Sequence, residues 1–192
     1  TENTLKVYNV QTSFLDDEPH IIGFPYPKVE GTPTFKFRDL LIPKKKKGHF
    51  RTQGPISKAG LFGMDKFPEG SKKSITITEG EYDALSIYQI TDGYTAGVSV
   101  SSSSSAKRDI RENWEYINSF EKIVFAFDAD IAGQNALKEV ISMFDFKKVY
   151  ICDLSLYKDA NDYLQKSKHK ELYDAWHGAK RYSPSDIISD FK

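Results

Sequence analysis

The pattern of apolar and polar positions changes character near residue 70. Before it, "HIIGFPYP" and "TFKFRDLLI" are typical of short strands, and the Glu-Gly pair of the intervening "KVEGT" suits a tight reversal. Phe35 and Phe37 alternate with Lys36 and Arg38, so apolar and basic side chains are expected on opposite faces of the second strand. "PKKKKGHFRTQGP" then has the composition of a basic loop. The pattern predicts a small antiparallel unit with one cationic face.

Beyond Ser74, apolar strand-like runs alternate with helix-like runs. "SITIT" precedes "EYDALSIYQI", "YTAGVSV" precedes "SAKRDIRENWEYINSF", "KIVFAF" precedes "AGQNALKEVISMF", and "KKVYICDL" precedes "DANDYLQK". The third helix is expected to bury one apolar face, formed by Ala132, Ala136, Leu137, Val140, Ile141 and Phe144. Successive βα units favour a mostly parallel sheet covered by helices. We therefore predict an α/β fold with a mainly antiparallel basic subdomain over residues 1–70 and an α/β domain with a C-terminal helical extension over residues 71–192.

Composition narrows the class of protein. With 192 residues, 39% of them hydrophobic, the chain can build one ordinary domain or two small ones. Lys+Arg and Asp+Glu both number 27, which excludes a uniformly basic nucleic-acid binder. The single cysteine, Cys152, excludes a disulfide framework and a cysteine-based zinc site, and it fits an intracellular compartment. No apolar run approaches the roughly 20 residues that span a bilayer, so no membrane partner is expected.

Carboxylates follow several of the predicted strands. Glu79 comes at the end of "SITIT", and Asp128 and Asp130 come at the end of "KIVFAF". Asp159 and Asp162 follow the next strand. Because the carboxyl ends of parallel strands meet at one edge of a sheet, at least four of these carboxylates are expected to converge there.

So many anions need a cation among them, and Mg²⁺ prefers hard oxygen ligands of this kind. Two such ions could align a nucleophile with a phosphoryl group. Within "EGEYD", Glu79 is the residue that we expect to take part in catalysis, because it lies at the end of the strand. Glu81 and Asp83 are interpreted as charges that interact favourably with the positive end of their helix. The alternative is that each acidic residue is only a helix cap or a turn residue, as isolated examples usually are.

Two other stretches leave alternatives open. The "KKKK" run of residues 44–47 is either a solvated loop or part of a surface that follows a nucleic-acid backbone, and Phe50 beyond it either stacks on a base or belongs to the core. The "SVSSSSSAKR" stretch either contacts phosphates through hydroxyl and N–H groups or forms a mobile linker.

The strings "TEGEYDAL", "FDADIAGQNAL" and "KDANDYL" resemble the signature of Toprim domains. They are most similar to the primase branch, and above all to the primase half of bacteriophage primase–helicases and their mitochondrial relative Twinkle. "FKFRD", "HFRTQGP" and "LFG" resemble the basic subdomain that precedes Toprim in those proteins. The resemblance covers nearly the whole chain.

This resemblance implies a nucleotidyltransferase, a DNA primase that makes short RNA primers from ribonucleoside triphosphates on a single-stranded DNA template during replication. It implies Mg²⁺ or Mn²⁺ as cofactor, with Glu79, Asp128 and Asp130 as both catalytic residues and metal ligands and Asp159 as a further metal ligand. The nucleotide- and template-binding candidates that it suggests are Lys36, Arg38 and Arg51, and Lys107 on the helix after the serine run is a further candidate.

The resemblance also implies partners. Neither a Cys-rich zinc ribbon nor a G-x-x-x-x-G-K-[ST] loop occurs in the sequence, and it does not begin with Met. We therefore expect a fragment of a longer protein that carries zinc-binding and helicase domains, located in the host cytoplasm for a phage protein or in the mitochondrion for a Twinkle relative. Two alternatives remain: a Toprim nuclease, and a non-catalytic single-stranded-DNA-binding or assembly module of a replicative helicase.

Overall fold

A computed structural model describes residues 1–43 and 46–183. Lys44 and Lys45 of the predicted basic loop lie outside the described residues, as does the end of the predicted C-terminal extension. Within the described ranges, no helix is both long enough and apolar enough to cross a membrane.

The first part of the chain forms an antiparallel sheet, with its strands in the order of the sequence. Its elements are α1 (Glu2–Val7), β1 (Gln11–Leu15), β2 (Glu18–Val29), β3 (Thr32–Asp39) and β4 (Phe50–Gln53). The predicted reversal is present: Glu30 and Gly31 both have positive φ, of 50° and 79°, which matches the twist of the two strands it joins.

The sequence pattern missed three of these elements. Helix α1 is only six residues long, too short to display a helical period, and the Thr1 side chain caps it. Strand β1 is exposed at every position, so it lacks the apolar alternation that marks a strand. Strand β4 lies inside the predicted basic loop, where it pairs with β3 so that Phe50 faces Arg38 and Arg51 faces Phe37. Pairing with a neighbouring strand, rather than local propensity, forms it.

The second part forms a sheet in the order β6-β5-β7-β8-β9. Strands β5 to β8 run parallel and β9 is antiparallel, which confirms the predicted mostly parallel sheet. The elements are β5 (Ser74–Thr78), α2 (Glu81–Ile90), β6 (Ala96–Ser99), α3 (Ala106–Glu112), α4 (Trp114–Asn118), β7 (Lys122–Ala126), α5 (Ile131–Ile141), β8 (Val149–Ile151), α6 (Ala160–Gln165), α7 (His169–His177) and β9 (Lys180–Arg181).

Two helices differ from the expected pattern. The helix predicted over "SAKRDIRENWEYINSF" is broken at Asn113, whose side-chain amide donates to the Asp109 carbonyl at 2.7 Å and so competes with the helical ladder. Of the predicted apolar face, Leu137, Val140 and Ile141 are buried in α5 and Phe144 is buried just beyond it, whereas Ala136 is half-buried and Ala132 is exposed. Gly133 occupies the buried position beside it.

Both faces of the parallel sheet are covered. One hydrophobic cluster includes Ile75, Ile77 and Phe125 and continues through Tyr8 and Phe24 to the antiparallel sheet. A second cluster, on the other face, includes Ile87, Val124, Ala126, Tyr163 and Trp176. Because successive residues of a strand point to opposite faces, β7 contributes to both clusters, and this explains why its sequence is a continuous apolar run.

Candidate active site

Adjacent parallel strands bring the first two predicted acidic residues together. Strands β5 and β7 pair in register, with Thr78 beside Ala126, so Glu79 and Asp128 emerge at the same edge. Glu79 is only 7% exposed, and its Oε1 accepts the backbone N–H of Asp128 at 2.9 Å. Its other oxygen accepts the Ser103 hydroxyl. Glu79 therefore links the edges of both strands to the serine run.

The next two predicted residues are held by helix ends. Asp130 is the N-cap of α5 and accepts the N–H of Gly133 at 3.1 Å. Asp159 is the N-cap of α6 and accepts the N–H of Asp162 at 2.8 Å. An N-cap carboxylate satisfies a free N–H of the first helical turn, and this hydrogen bond also fixes the direction of the side chain.

One ammonium group joins three of these carboxylates. Lys158 Nζ lies 3.1 Å from an Asp128 oxygen and 3.8 Å from an oxygen of Asp130 and of Asp159. We call Glu79, Asp128, Asp130 and Asp159 the acidic cluster. Asp162, which was expected at the same edge, pairs instead with Lys166 at 3.4 Å. Sequence reasoning missed Lys158, although its position next to Asp159 could have drawn attention to it.

The charges of the cluster interact strongly. Burial, followed by the nearby charge of Glu79, raises the pKa of Asp128 to about 6, against the opposing effect of Lys158. For Lys158, burial acts to lower the pKa, but the hydrogen bond to Asp128 and the surrounding carboxylates outweigh it and raise the pKa. The cluster thus holds excess negative charge that a single lysine only partly neutralises.

Glu81 and Asp83 lie in the first turn of α2, as expected, but they are not merely helix-start charges. Glu81 is 2% exposed, accepts the Tyr26 hydroxyl at 2.6 Å and forms an ion pair with Lys36 at 2.8 Å. It therefore ties the antiparallel sheet to the parallel one. Asp83 accepts the backbone N–H of Asn161 at 2.9 Å, and burial together with the charge of Asp159 raises its pKa well above the ordinary value.

A groove of about 540 Å³ lies between the acidic cluster and strands β3 and β4. Lys36 and Arg38 face it, and the Lys36 ammonium lies 4.7 Å from the centre of the Phe50 ring. Arg38 is largely occupied in holding the chain, since its guanidinium donates to the carbonyls of Asp39, Ile42 and His49. The predicted cationic face therefore points into the groove, and much of its charge is already partnered.

Two of the predicted basic residues do not line this groove. Arg51 lies across from Phe37, with its guanidinium 5.8 Å from that ring, on the sheet face opposite Lys36. Lys107 is exposed on α3 and lies 3.7 Å from Glu139. Their role in nucleotide or template binding stays a prediction.

The serine run is tied to the site by hydrogen bonds. The backbone N–H and the hydroxyl of Ser101 donate to Asp109 at 2.8 and 2.7 Å, and Lys36 donates to the Ser101 carbonyl at 2.9 Å. Ser102 and Ser103 line the groove, where Ser103 contacts Glu79. These contacts hold the run against the groove, which argues against a mobile linker, while its contact with phosphates stays a prediction.

The acidic cluster has the donor chemistry of a divalent metal site. Three carboxylate oxygens, hard ligands of the kind Mg²⁺ prefers, already surround one cation, the Lys158 ammonium. As they stand, the described residues contain no group of three or more acidic, histidine or cysteine side chains placed to hold a metal. The ammonium occupies the position among the carboxylates that a metal would take, and the Lys158 side chain is 56% exposed.

Residues 76–164 match the family described as Toprim-like, and the observed parallel sheet covered by helices agrees with the α/β fold predicted for such a segment. The chain is 32% identical over 147 residues to the DNA helicase/primase of Enterobacteria phage T3; this alignment covers 76% of the chain and 25% of that protein. The chain thus spans about a quarter of the length of this relative.

Solved structures of phage primases are also similar to this chain. The primase fragment of the bacteriophage T7 primase-helicase is 29% identical, with a TM-score of 0.76, and the match covers 91% of this chain and 70% of that one. A chain of the bacteriophage T7 lagging-strand DNA polymerase structure is 28% identical, with a TM-score of 0.78 and coverage of 95% and 89%. That structure contains primase domains bound to an RNA/DNA hybrid and dTTP. The predicted resemblance to phage primase–helicases is confirmed.

Proposed function

We propose that this chain is the catalytic core of a DNA primase, which joins ribonucleotides into short RNA primers on single-stranded DNA. The observation that carries the proposal is the acidic cluster at the edge of the parallel sheet, opposite basic and aromatic groups across one groove. A pure polyanion binder gains nothing from such a cluster, because its carboxylates repel phosphates. The likeness to the T7 primase fragment supports the same reading.

In this proposal Asp128, Asp130 and Asp159 would hold Mg²⁺ or Mn²⁺, which would offset the negative charge of phosphoryl oxygens. Glu79 orients this set through its bond to the Asp128 backbone. Lys158, released from the carboxylates, provides a cation at the mouth of the groove. The primer's 3′-hydroxyl gives up its proton to water, its oxygen bonds to the α-phosphorus of a ribonucleoside triphosphate, and the bond from that phosphorus to the bridging oxygen breaks to release pyrophosphate.

The other side of the groove would position the nucleic acid. The Phe50 ring is 37% exposed and offers a face on which a base can stack. Lys36 and Arg38 lie next to it, within reach of a phosphate that enters the groove. The RNA/DNA hybrid and dTTP in the related T7 structure support a template and a nucleoside triphosphate as ligands.

Further domains belong to the proposal as well. Because the T3 relative is named a helicase/primase and is about four times longer than the aligned part, we propose that a helicase portion acts with this core. A zinc-ribbon portion stays a prediction. The intracellular location and the boundary near residue 70 stay predictions.

The test is primer synthesis on single-stranded DNA with labelled ribonucleotides and Mg²⁺ or Mn²⁺. We expect metal-dependent dinucleotides or longer RNA, and their loss in Asp128→Asn and Glu79→Ala. Asp17→Asn, an exposed change in the turn between β1 and β2, should retain activity. Unchanged product in Asp128→Asn would refute the proposal. Strand cleavage without ribonucleotide incorporation would identify a nuclease instead, and salt-sensitive DNA binding without turnover would identify a binding module.

A further inference from the structure

A second cavity lies at the opposite edge of the parallel sheet from the acidic cluster. Ser74 and Lys122, which line it, are the first residues of β5 and β7, whereas the acidic residues follow the last residues of the same strands. At about 3.3 Å per residue, a five-residue strand separates the two sites by roughly 15 Å. We call this cavity the rear cleft. Its volume is about 660 Å³, within the range of small-molecule sites.

The rear cleft is cationic. Lys73, Lys122, Lys147 and Arg181 line it, and Glu121 is the acidic residue among the lining side chains. Within residues 1–43 and 46–183, none of these four cations forms an ion pair, in contrast to the lysines around the acidic cluster. Four like charges around one concavity repel each other, and an anion bound among them would remove that repulsion.

The cleft also has aromatic walls. Tyr94 and Tyr173 are 59% and 42% exposed, and each ring lies 6.2 Å from the indole of the buried Trp176. Lys122 connects this aromatic wall to the cationic one, because its ammonium lies 4.3 Å from the Tyr150 ring and 5.9 Å from the Trp176 ring. Exposed tyrosine faces beside unpaired cations can stack a planar base while its phosphate meets the charges.

An unpartnered hydroxyl points to a ligand independently of the charges. Ser74 is 3% exposed and lines the cleft, yet its Oγ has no hydrogen-bond partner among the described residues. A buried hydroxyl that lacks a partner costs about 1–3 kcal/mol, which an oxygen atom of a bound ligand would recover.

We propose that the rear cleft binds a nucleoside phosphate, with its base against Tyr94 and Tyr173 and its phosphate against Lys122, Lys147 and Arg181. The combination of flat aromatic faces and several cations in one concavity favours this class over an acidic peptide, which would leave the tyrosine faces uncovered. The site is separate from the acidic cluster and does not depend on the primase proposal.

The test is isothermal titration calorimetry of the full chain with AMP in EDTA, so that metal-dependent binding at the acidic cluster does not contribute. We expect saturable binding that Lys147→Ala and Arg181→Ala each weaken about fivefold or more, since each removes one cation from the phosphate. Lys138→Ala, an exposed lysine on α5 away from the cleft, is the matched control and should bind as the unsubstituted chain does. Asp128→Asn should also bind normally, which separates this site from the proposed active site.

Two further ligands separate the contributions of base and charge. Adenosine and inorganic phosphate should each bind far more weakly than AMP. In a separate measurement, AMP should quench the fluorescence of Trp176 in a Trp114→Phe chain, in which Trp176 is the remaining tryptophan. Absence of AMP binding, or equal binding by the Lys147→Ala, Arg181→Ala and Lys138→Ala chains, would overturn the proposal. Tighter binding of hexaglutamate than of AMP would overturn the nucleotide assignment.

Discussion

Replacing Asp128 by Asn should stabilise the metal-free protein while it abolishes the proposed activity. Burial and the charge of Glu79 hold the pKa of Asp128 at about 6, above its ordinary value of 3.8. A carboxyl group whose pKa is raised in the folded state favours folding when protonated. The stability it contributes is therefore complete below about pH 3.8 and is lost as the pH rises through 6. Asparagine does not titrate and avoids this loss.

The size of the effect follows from the pKa values. A rise from 3.8 to about 6 corresponds to about 3 kcal/mol at neutral pH. The side chain is 17% exposed and its Lys158 partner is 56% exposed, so solvent screens part of this interaction. We expect Asp128→Asn to raise the free energy of unfolding by about 1–2 kcal/mol near pH 8 and to have no such advantage near pH 4.

The assay is urea unfolding in EDTA at both pH values, with Asp17→Asn as the control. Asp17 is exposed in a turn with φ of 63°, a conformation that Asn tolerates, so its replacement should change stability by less than about 0.5 kcal/mol. Adding Mg²⁺ should stabilise the unsubstituted chain more than Asp128→Asn, because the ion binds the carboxylate set. A destabilised Asp128→Asn chain near pH 8, or a difference independent of pH, would refute the electrostatic reasoning.

Three other changes test the architecture of the site. Gly133→Ala would press a methyl group against two oxygens of the groove and should lower the free energy of unfolding, measured in urea, by about 1–3 kcal/mol. Asn135→Ala, at an exposed position of the same helix, should change it little. Equal effects of the two substitutions would contradict this packing. Tyr26→Phe removes the hydroxyl that donates to buried Glu81 and should lower the free energy of unfolding by about 1–3 kcal/mol, so an unchanged melting temperature would argue against that link. Lys158→Ala should tighten Mn²⁺ binding several-fold, because it removes a cation that competes for the carboxylates; electron paramagnetic resonance would measure the binding. Weaker Mn²⁺ binding would show that the lysine contributes to metal binding.

The sequence alone was sufficient to predict the parallel sheet and the edge of that sheet at which the acidic residues meet. Period and alternation are local properties, so "SITIT" and "KIVFAF" could be identified as buried strands without a structure. The position of Glu79 and Asp128 then followed from a general rule about the carboxyl ends of parallel strands. The hydrogen bond between them is consistent with that rule.

The partners of those residues were decided by tertiary structure. Strand β4 forms because it can pair with β3, although the sequence pattern of its four exposed residues predicts a loop. Glu81 looked like a helix-start charge, and only the packing of the two sheets shows that it joins Tyr26 to Lys36. Lys158 and the rear cleft depend likewise on side chains far apart in the chain. Local patterns carry no information about such contacts, because burial and charge pairing arise only when distant segments pack together.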